Sequence, residues 1–368
     1  MEIRKITLHH IEMNLKMPFA ASYGTITKRP FIIVEMEDEE GQTGWGECAA
    51  FAVPWYTEET INGAWHILED VFIPEVFQKP LGRPEDLLEE LSLYKRNYMA
   101  KSALDEAVWD LFAKRQKKPL AEVIGGKRKQ VKAGVVVGIQ PVSDMLKAID
   151  EYLAQGYERV KVKIKPGKDR EILAPIRERF PNLPLMADAN SSYTLNDIED
   201  LQALDEYNLL MIEQPLGFDD IIEHSLLQKQ IQTPICLDES ITSYESAKKA
   251  VQLGGCKVVN LKIGRVGGIT AAKRIHDLCK EHNIPVWCGG LLESGIGRAH
   301  NVAISTLDNF VYPGDLSASS RYWEQDIVKP EWTVQNGTMQ VPDQHGIGVI
   351  VDRGFLERLT VRKETFKI

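Results

Sequence analysis

Five polar residues recur along the chain at a nearly constant interval: Lys163, Asp188, Glu213, Asp238 and Lys262, spaced by 25, 25, 25 and 24 positions. Three of them are acids. Three carboxylates gathered in one pocket cannot all stay ionised near neutral pH without a cation. An all-oxygen donor set suits a hard ion, and Mg2+ commonly takes a few protein carboxylates while leaving positions open for water and substrate. Asp188, Glu213 and Asp238 are therefore the expected ligands of one divalent ion, Mg2+, for which Mn2+ can substitute. A single strand-end acid is ordinarily a helix cap or a solvated loop residue; three in register are not. The lysines flank this centre, and from opposite sides of a barrel mouth they would look at one substrate carbon from opposite faces. A lysine desolvated near another cation has a lowered pKa and can act as a base. With no nucleophile triad, such parts point to removal of a proton next to a carboxylate, where a metal ion offsets the charge of the dianion that forms.

Each ladder residue closes or follows a short apolar run, for example Leu209-Leu210-Met211-Ile212 before Glu213 and Val258-Val259-Asn260-Leu261 before Lys262. The stretches between the runs pattern as amphipathic helices. Strand, helix, strand at a fixed period indicates repeated βα units and a parallel sheet. The period reaches back to Gly138, after Gly134-Val135-Val136-Val137, and forward to Trp287-Cys288 and Tyr312-Pro313. Eight strands at one spacing close a TIM-like barrel, whose C-terminal strand ends carry the chemistry. Lys161 shares a face with Lys163 because residues two apart on a strand do. A central barrel strand has no solvent face, so Lys161 is expected at the site, whereas Lys165, before Pro166-Gly167, is expected on the surface. Gly289, Gly290, Gly295 and Gly297 serve either close backbone approach to a substrate or tight turns. Arg265 either binds an anion or tunes Lys262. His300 and the His9-His10 pair, far from the ladder, read as structural.

The barrel is expected over residues 127–319. Residues 1–126 read as an α+β domain: strands at Ile3–Leu8, Phe31–Met36 and Gly44–Cys48, then helices starting at Thr57, near Pro84 and at Met99. The last of these, Met99 to Arg115, repeats apolar residues at Ala100, Ala103, Leu104, Ala107, Val108, Leu111 and Phe112. Pro18 to Gly24 reads equally as a covering loop or as a plain strand connection. Trp55 is a second candidate to cover a substrate. Residues 320–368, with a hairpin-like piece over Met339–Pro342 and Gly348–Val351, are expected to pack back onto the first domain, since a closed barrel offers no edge. A net charge of −9 among 368 residues argues against a nucleic-acid partner. No apolar run approaches the ~20 residues of a membrane helix, and the N-terminus lacks a signal-peptide pattern. Five cysteines without CxxC spacing indicate neither a disulfide framework nor a zinc site, and a cytoplasmic compartment is expected. A small-molecule carboxylate is the expected partner, with a homo-oligomer as the expected assembly.

Lys161-Val162-Lys163, Asp188-Ala189-Asn190, Glu213-Gln214-Pro215, Asp238-Glu239-Ser240 and Asn260-Leu261-Lys262, in this order, resemble the muconate-lactonizing-type subgroup of the enolase superfamily. Four further stretches are similar to its branch of o-succinylbenzoate synthases and N-succinylamino acid racemases. They are Pro54-Trp55-Tyr56-Thr57-Glu58-Glu59-Thr60, Gly264-Arg265-Val266-Gly267-Gly268, Gly289-Gly290-Leu291-Leu292-Glu293-Ser294-Gly295 and Pro313-Gly314-Asp315-Leu316-Ser317-Ala318-Ser319. The resemblance spans essentially the whole chain. It implies an α/β fold, a (β/α)7β barrel under an α+β capping domain built from both termini. It implies that Lys163 removes the α-proton and that Mg2+ on Asp188, Glu213 and Asp238 holds the enediolate. Lys161 and Asn190 are then expected to contact the substrate. In the synthase reaction 2-succinyl-6-hydroxy-2,4-cyclohexadiene-1-carboxylate loses its hydroxyl in a syn-dehydration that yields o-succinylbenzoate for menaquinone synthesis. Lys163 then serves as the acid, and Lys262 contributes its charge. In the racemase reaction Lys262 delivers a proton to the opposite face. A Schiff-base aldolase using Lys262 and a barrel that binds a carboxylate without turning it over are the competing readings.

Overall fold

The computed structural model describes residues 1–21 and 24–368, apart from the side chains of 20 and 21. With strands numbered in chain order, β1 (Ile3–Ala21), β2 (Gly24–Asp38) and β3 (Thr43–Cys48) form an antiparallel meander. The last strand, β15 (Thr360–Lys367), adds to the outer edge of β1, with Thr7 opposite Thr365. The end of the chain is thus paired to its beginning. The β1–β2 ribbon is longer than the apolar runs suggested. After a break between Asn14 and Phe19, pairing resumes through Phe19↔Ile26, Ala20↔Thr25 and Ala21↔Gly24. Most of the stretch Pro18–Gly24 is therefore strand, and Ser22 and Tyr23 lie outside the described residues.

The helix Tyr98–Arg115 lies across this sheet. Its anticipated apolar face is buried except for the half-buried Phe112, but so are Lys101, Ser102, Asp105, Glu106 and Asp110 on the other faces. The reason is that the helix is covered both by β3 and by segments outside the meander, and each buried acid accepts from a backbone donor there. Asp110 accepts from Trp45 N and Ile347 N, Glu106 from Glu47 N, and Asp105 from Thr270 N, all at 2.8–3.0 Å. Gly44 and Gly46 allow β3 to lie against the helix; a Cβ at either would collide with its backbone. The helix expected from Thr57 begins three residues later, with Thr60 accepting from Gly63 N at 3.2 Å. Glu59 instead caps the long helix, accepting from Met99 N and Ala100 N at 2.9 and 3.1 Å, where an acid complements the helix dipole.

The second sheet is parallel and curled. Its seven strands lie in sequence order: β5 (Val135–Val137), β6 (Val160–Lys163), β7 (Leu185–Asp188), β8 (Met211–Glu213), β9 (Ile235–Leu237), β10 (Val258–Leu261) and β11 (Val286–Cys288). Extended residues 309–315 bond to β11 on one side, with Val311 N to Val286 O at 3.2 Å and Asp315 N to Cys288 O at 2.8 Å. On the other side they meet residues 132–134 ahead of β5, with Gly134 N to Gly314 O at 2.7 Å. Alternate strand residues pack in two directions. Met186, Met211, Cys236, Val258 and Trp287 form one buried cluster among themselves, while their neighbours join the large core that includes the surrounding helices.

The expected hairpin between residues 339–342 and 348–351 is not formed. Instead β13 (Thr338–Gln340) pairs with β4 (Gln130–Lys132), and β12 (Val328–Lys329) pairs with β14 (Ile350–Val351). The free edge of β4 takes up β13, and Gly346 and Gly348, both at positive φ, turn the chain away between the two segments. All five cysteines are free and buried. Among the described residues no helix is long and apolar enough to cross a membrane.

Candidate active site at the strand ends

The ladder residues do not stand on one level of the sheet, as equal spacing suggested. Lys163, Asp188 and Glu213 are register partners, but Glu213 pairs with Cys236, so Asp238 stands two residues further along its strand direction. Val259 pairs with Leu237, which places Lys262 two residues beyond the partner of Asp238. The climb is four residues over four strand-to-strand steps. Strands of a curled parallel sheet tilt against its axis, and about one residue of register per strand offsets that tilt. The climb is thus what returns the five side chains to a common height. Every offset is even, so all five stay on one face.

The side chains meet in a dense ion-pair network. Lys163 Nζ donates to Asp188 Oδ2 at 2.7 Å and to Asn190 Oδ1 at 2.5 Å. Lys161 Nζ lies 3.2 Å from Asp188, 3.0 Å from Glu213 and 2.9 Å from Asp315. Asn260 Nδ2 donates to Glu213 Oε1 at 2.7 Å. On the far side, Lys262 Nζ donates to Asp238 Oδ2 at 2.8 Å, and Arg265 pairs with Asp238 Oδ1. Lys163 is the most open of the ladder groups, with 21% of its side chain exposed against 9% for Lys262 and 1–3% for the three acids. The two lysines thus bracket the acids from opposite sides. Lys165 is exposed.

Burial alone would raise all three acids, and the neighbours separate them. Asp188 is held below the usual carboxylate range by Lys163 and Lys161, and Asp238 by Lys262 and Arg265. Burial and the charge of Asp188 push Glu213 up to about 7, against the opposing pull of Lys161. Glu239, whose Oε1 accepts from Asn190 Nδ2 at 3.2 Å, is pushed by burial and by Asp238 to about 8. The lysines depart from expectation. Burial lowers Lys161 and Lys262, but Asp315, Glu213 and Asp188 outweigh it at the first and Asp238 at the second, so both sit well above the ordinary lysine value. The anticipated lowering needs a neighbouring cation to dominate, and here carboxylates do.

Among the described residues no three His, Cys, Asp or Glu side chains are drawn together as a ligand cluster; the acids are held by the lysines, Arg265 and Asn260. The donor set nonetheless fits a hard divalent cation. It consists of buried carboxylates, and a cation, the Lys161 ammonium, already bridges Asp188 and Glu213. Asp188, Glu213, Asp238 and Asp315 pair with Lys161, Lys163, Lys262, Arg159 and Arg265.

Three participants escaped the sequence reading. Tyr56, from the segment after the meander, accepts from Lys262 Nζ at 2.8 Å and Arg265 Nη1 at 2.7 Å and donates to Asp238 at 3.2 Å. It lies in the conspicuous Pro54–Thr60 stretch, but a lone tyrosine there carries no chemical signature. Asp315 lies just past the last rung, where the period was followed only to Tyr312-Pro313. Arg159, buried, donates to Asp315 Oδ1 at 2.8 Å; the two-residue rule that placed Lys161 places it too. Arg265, buried, spends four of its five N–H groups on Asp238, Tyr56, Ile241 O and Asn260 O, two of which are also partners of Lys262. His300 bonds Trp45 O at 2.9 Å, and His9 lies inside β1 next to Glu35, both away from the ladder as anticipated. Trp55, 44% exposed, packs on Gly24, so the two candidate covers touch. Gly289 presses on Lys262 and Asn260, where a Cβ would clash with both; its role is close approach of backbone to the site.

Comparison with known proteins agrees with this geometry. Residues 3–125 match the mandelate racemase / muconate lactonizing enzyme N-terminal domain, and residues 144–354 match the enolase C-terminal domain-like family. The o-succinylbenzoate synthase of Geobacillus kaustophilus is 55% identical, covering 97% of this chain and 96% of that protein. The N-succinylamino acid racemase of Thermus thermophilus is 46% identical, covering 98% of each. A solved enolase-superfamily member from Listeria innocua superposes with a TM-score of 0.98 at 44% identity, over 100% of this chain and 99% of that one. A dipeptide epimerase from Cytophaga hutchinsonii, solved with Mg and a dipeptide, superposes with a TM-score of 0.90 at 27% identity, over 99% and 100%. With both halves matched and relatives this similar over their full length, the chain belongs to the mandelate racemase / muconate lactonizing enzyme family of the enolase superfamily, with its N-terminal capping domain and curled parallel sheet.

Proposed function

We propose that this protein is an o-succinylbenzoate synthase, a hydro-lyase that dehydrates 2-succinyl-6-hydroxy-2,4-cyclohexadiene-1-carboxylate for menaquinone synthesis. The observation that carries the reading is the bracketing of Asp188, Glu213 and Asp238 by Lys163 and Lys262. Asp188, Glu213 and Asp238 would hold one divalent ion, Mg2+ or in its place Mn2+. When bound, that ion supplies positive charge against the dianion created by α-deprotonation. Lys163, the most open of the ladder charges, takes the α-proton and returns it to the departing hydroxide, so that both events occur on one face. Lys262, held charged by Asp238 and Tyr56, faces the opposite side as a fixed cation. Lys161 and Asn190, on either side of Lys163, orient the substrate carboxylate.

In this reading residues 127–319 form a (β/α)7β barrel with 309–315 as its eighth strand, and residues 1–126, completed by 320–368, form the cap. A cytoplasmic homo-oligomer is the accompanying expectation. Racemisation of N-succinylamino acids is the second reading. It is favoured by one observation, a buried ammonium opposite Lys163 that could deliver a proton. The greater identity to synthases, at 55% against 46%, orders the two. Assaying the purified protein with Mg2+ on both substrates side by side tests that order. A large kcat/KM advantage for N-succinylamino acids would reverse it, and activity on neither would end both readings.

A further inference from the structure

Lys161 is claimed by three carboxylates at once, and the third differs from the others. Asp188 and Glu213 belong to the proposed metal centre; Asp315, 2.9 Å from the ammonium, does not. It is fixed from behind. Arg159 Nη2 donates to its Oδ1 at 2.8 Å and to Pro313 O at 2.8 Å, and the Arg159 guanidinium lies 5.0 Å over the ring of Trp287. Gly134 leaves room for that guanidinium, which a Cβ there would strike. The main chain of Asp315 is tied at both ends, its N–H donating to Cys288 O at 2.8 Å and its carbonyl accepting from Arg298 Nη1 at 3.1 Å. One carboxylate oxygen thus faces Arg159 and the other faces Lys161.

A buried ammonium needs a counter-charge, and losing one partner of such a pair is strongly unfavourable. A divalent ion engaging Asp188 and Glu213 draws on the charge that Lys161 otherwise shares. We propose that Asp315 is a positioning residue, the counter-ion that keeps the Lys161 ammonium beside the metal centre while Asp188 and Glu213 are engaged by the ion. This rests on the metal centre proposed above. Without Asp315, Lys161 has only the two ligand carboxylates to turn to and competes with the ion for them. Affinity for the ion then depends on Asp315 through Lys161.

The test is a double-mutant cycle read by Mn2+ binding to the metal-stripped full-length protein, followed by electron paramagnetic resonance without substrate. Asp315→Asn, whose amide oxygen can still accept from Arg159, should weaken Mn2+ binding about tenfold, a coupling typical of contacting charges. Asp315→Glu keeps the charge and should bind within about threefold of wild type. Lys161→Met should bind Mn2+ more tightly than wild type, and in that background Asp315→Asn should change affinity less than about threefold. An undiminished tenfold effect without Lys161 would mean that Asp315 acts by its own charge on the ion and would overturn the proposal, as would an unchanged affinity in the single Asp315→Asn variant. Should Asp315→Asn fail to fold, weak Mn2+ binding by Asp315→Glu, or no tightening in Lys161→Met, overturns it instead. A wild-type protein that binds no Mn2+ removes the metal centre itself, and this inference with it.

Discussion

Replacing Tyr56 by Phe removes a single oxygen from the far side of the site, and the consequence for Lys262 can be worked out. The hydroxyl accepts from Lys262 Nζ at 2.8 Å and from Arg265 Nη1 at 2.7 Å. Arg265 keeps Asp238, Ile241 O and Asn260 O, so its position survives. Lys262 keeps only Asp238 Oδ2, at 2.8 Å, and the aromatic face 4.5 Å below. With Asp238 committed to a metal ion, the tyrosine oxygen is the partner that remains. A hydrogen bond to a charged group is worth about 1.5–3 kcal/mol, and the face of a Phe ring retains part of the attraction. A net loss of about 2 kcal/mol at Lys262 corresponds to about 30-fold in any step where Lys262 moves a proton. Dehydration, in which Lys262 only contributes charge, should fall much less, about threefold. The assay is kcat for dehydration beside exchange of the α-proton of each N-succinylamino acid enantiomer with D2O, followed by proton NMR. One enantiomer reports on Lys163 and the other on Lys262. Equal losses in both exchanges, or a fall in dehydration as large as in the slower exchange, would refute the assignment of Tyr56 to Lys262.

Three other outcomes follow from the same geometry. Lys163→Met should lower dehydration and both directions of racemisation by at least about 10^3-fold, as expected for loss of a general base, with little change in melting midpoint because the side chain is partly exposed; retention of dehydration would show that another group takes the proton. Stripping divalent ions with EDTA should abolish activity reversibly, while the protein still melts cooperatively because lysines already neutralise the acids; restored Mg2+ at 100 times its Kd should add about 2.7 kcal/mol of stability, and full activity after rigorous stripping would contradict the centre. Glu47, on the buried face between β3 and residues 294–297, is pushed by burial up to about 7 from its usual 4.5. A carboxyl that holds its proton more tightly when folded stabilises fully below about pH 4.5 and loses that contribution as pH rises through about 7, up to about 3 kcal/mol. The melting midpoint of Glu47→Gln, measured against wild type, should therefore improve from pH 5 to pH 8, and a difference that stays constant would contradict this.

The gathering of the ladder residues was legible because they lie on a repeat. A period of about 25 residues is one strand and one helix, and charged residues at the same phase of such a repeat must reach the same end of the sheet. The parity of Lys161 and Lys163 followed from strand geometry alone. The helix Tyr98–Arg115 was also legible from its apolar face, whereas its buried acids were not. Asp105, Glu106 and Asp110 accept from Thr270 N, Glu47 N, Trp45 N and Ile347 N, partners distant in sequence that no local pattern announces. Helix starts were misread for a related reason: Glu59, beside Thr57, caps a different helix 40 residues away.

Periodicity along one chain carries the strand ends, the ladder and the parallel sheet, since each depends on neighbours in sequence. It does not carry contacts between segments with no common period. The tyrosine hydroxyl between Lys262 and Arg265, the Asp315–Arg159 brace behind Lys161 and the pairing of β15 to β1 each join parts more than 150 residues apart. The register climb is likewise invisible in spacing, because it arises from the tilt that a curled sheet imposes on its strands. Packing decides such contacts, and packing is settled only when the whole chain has folded.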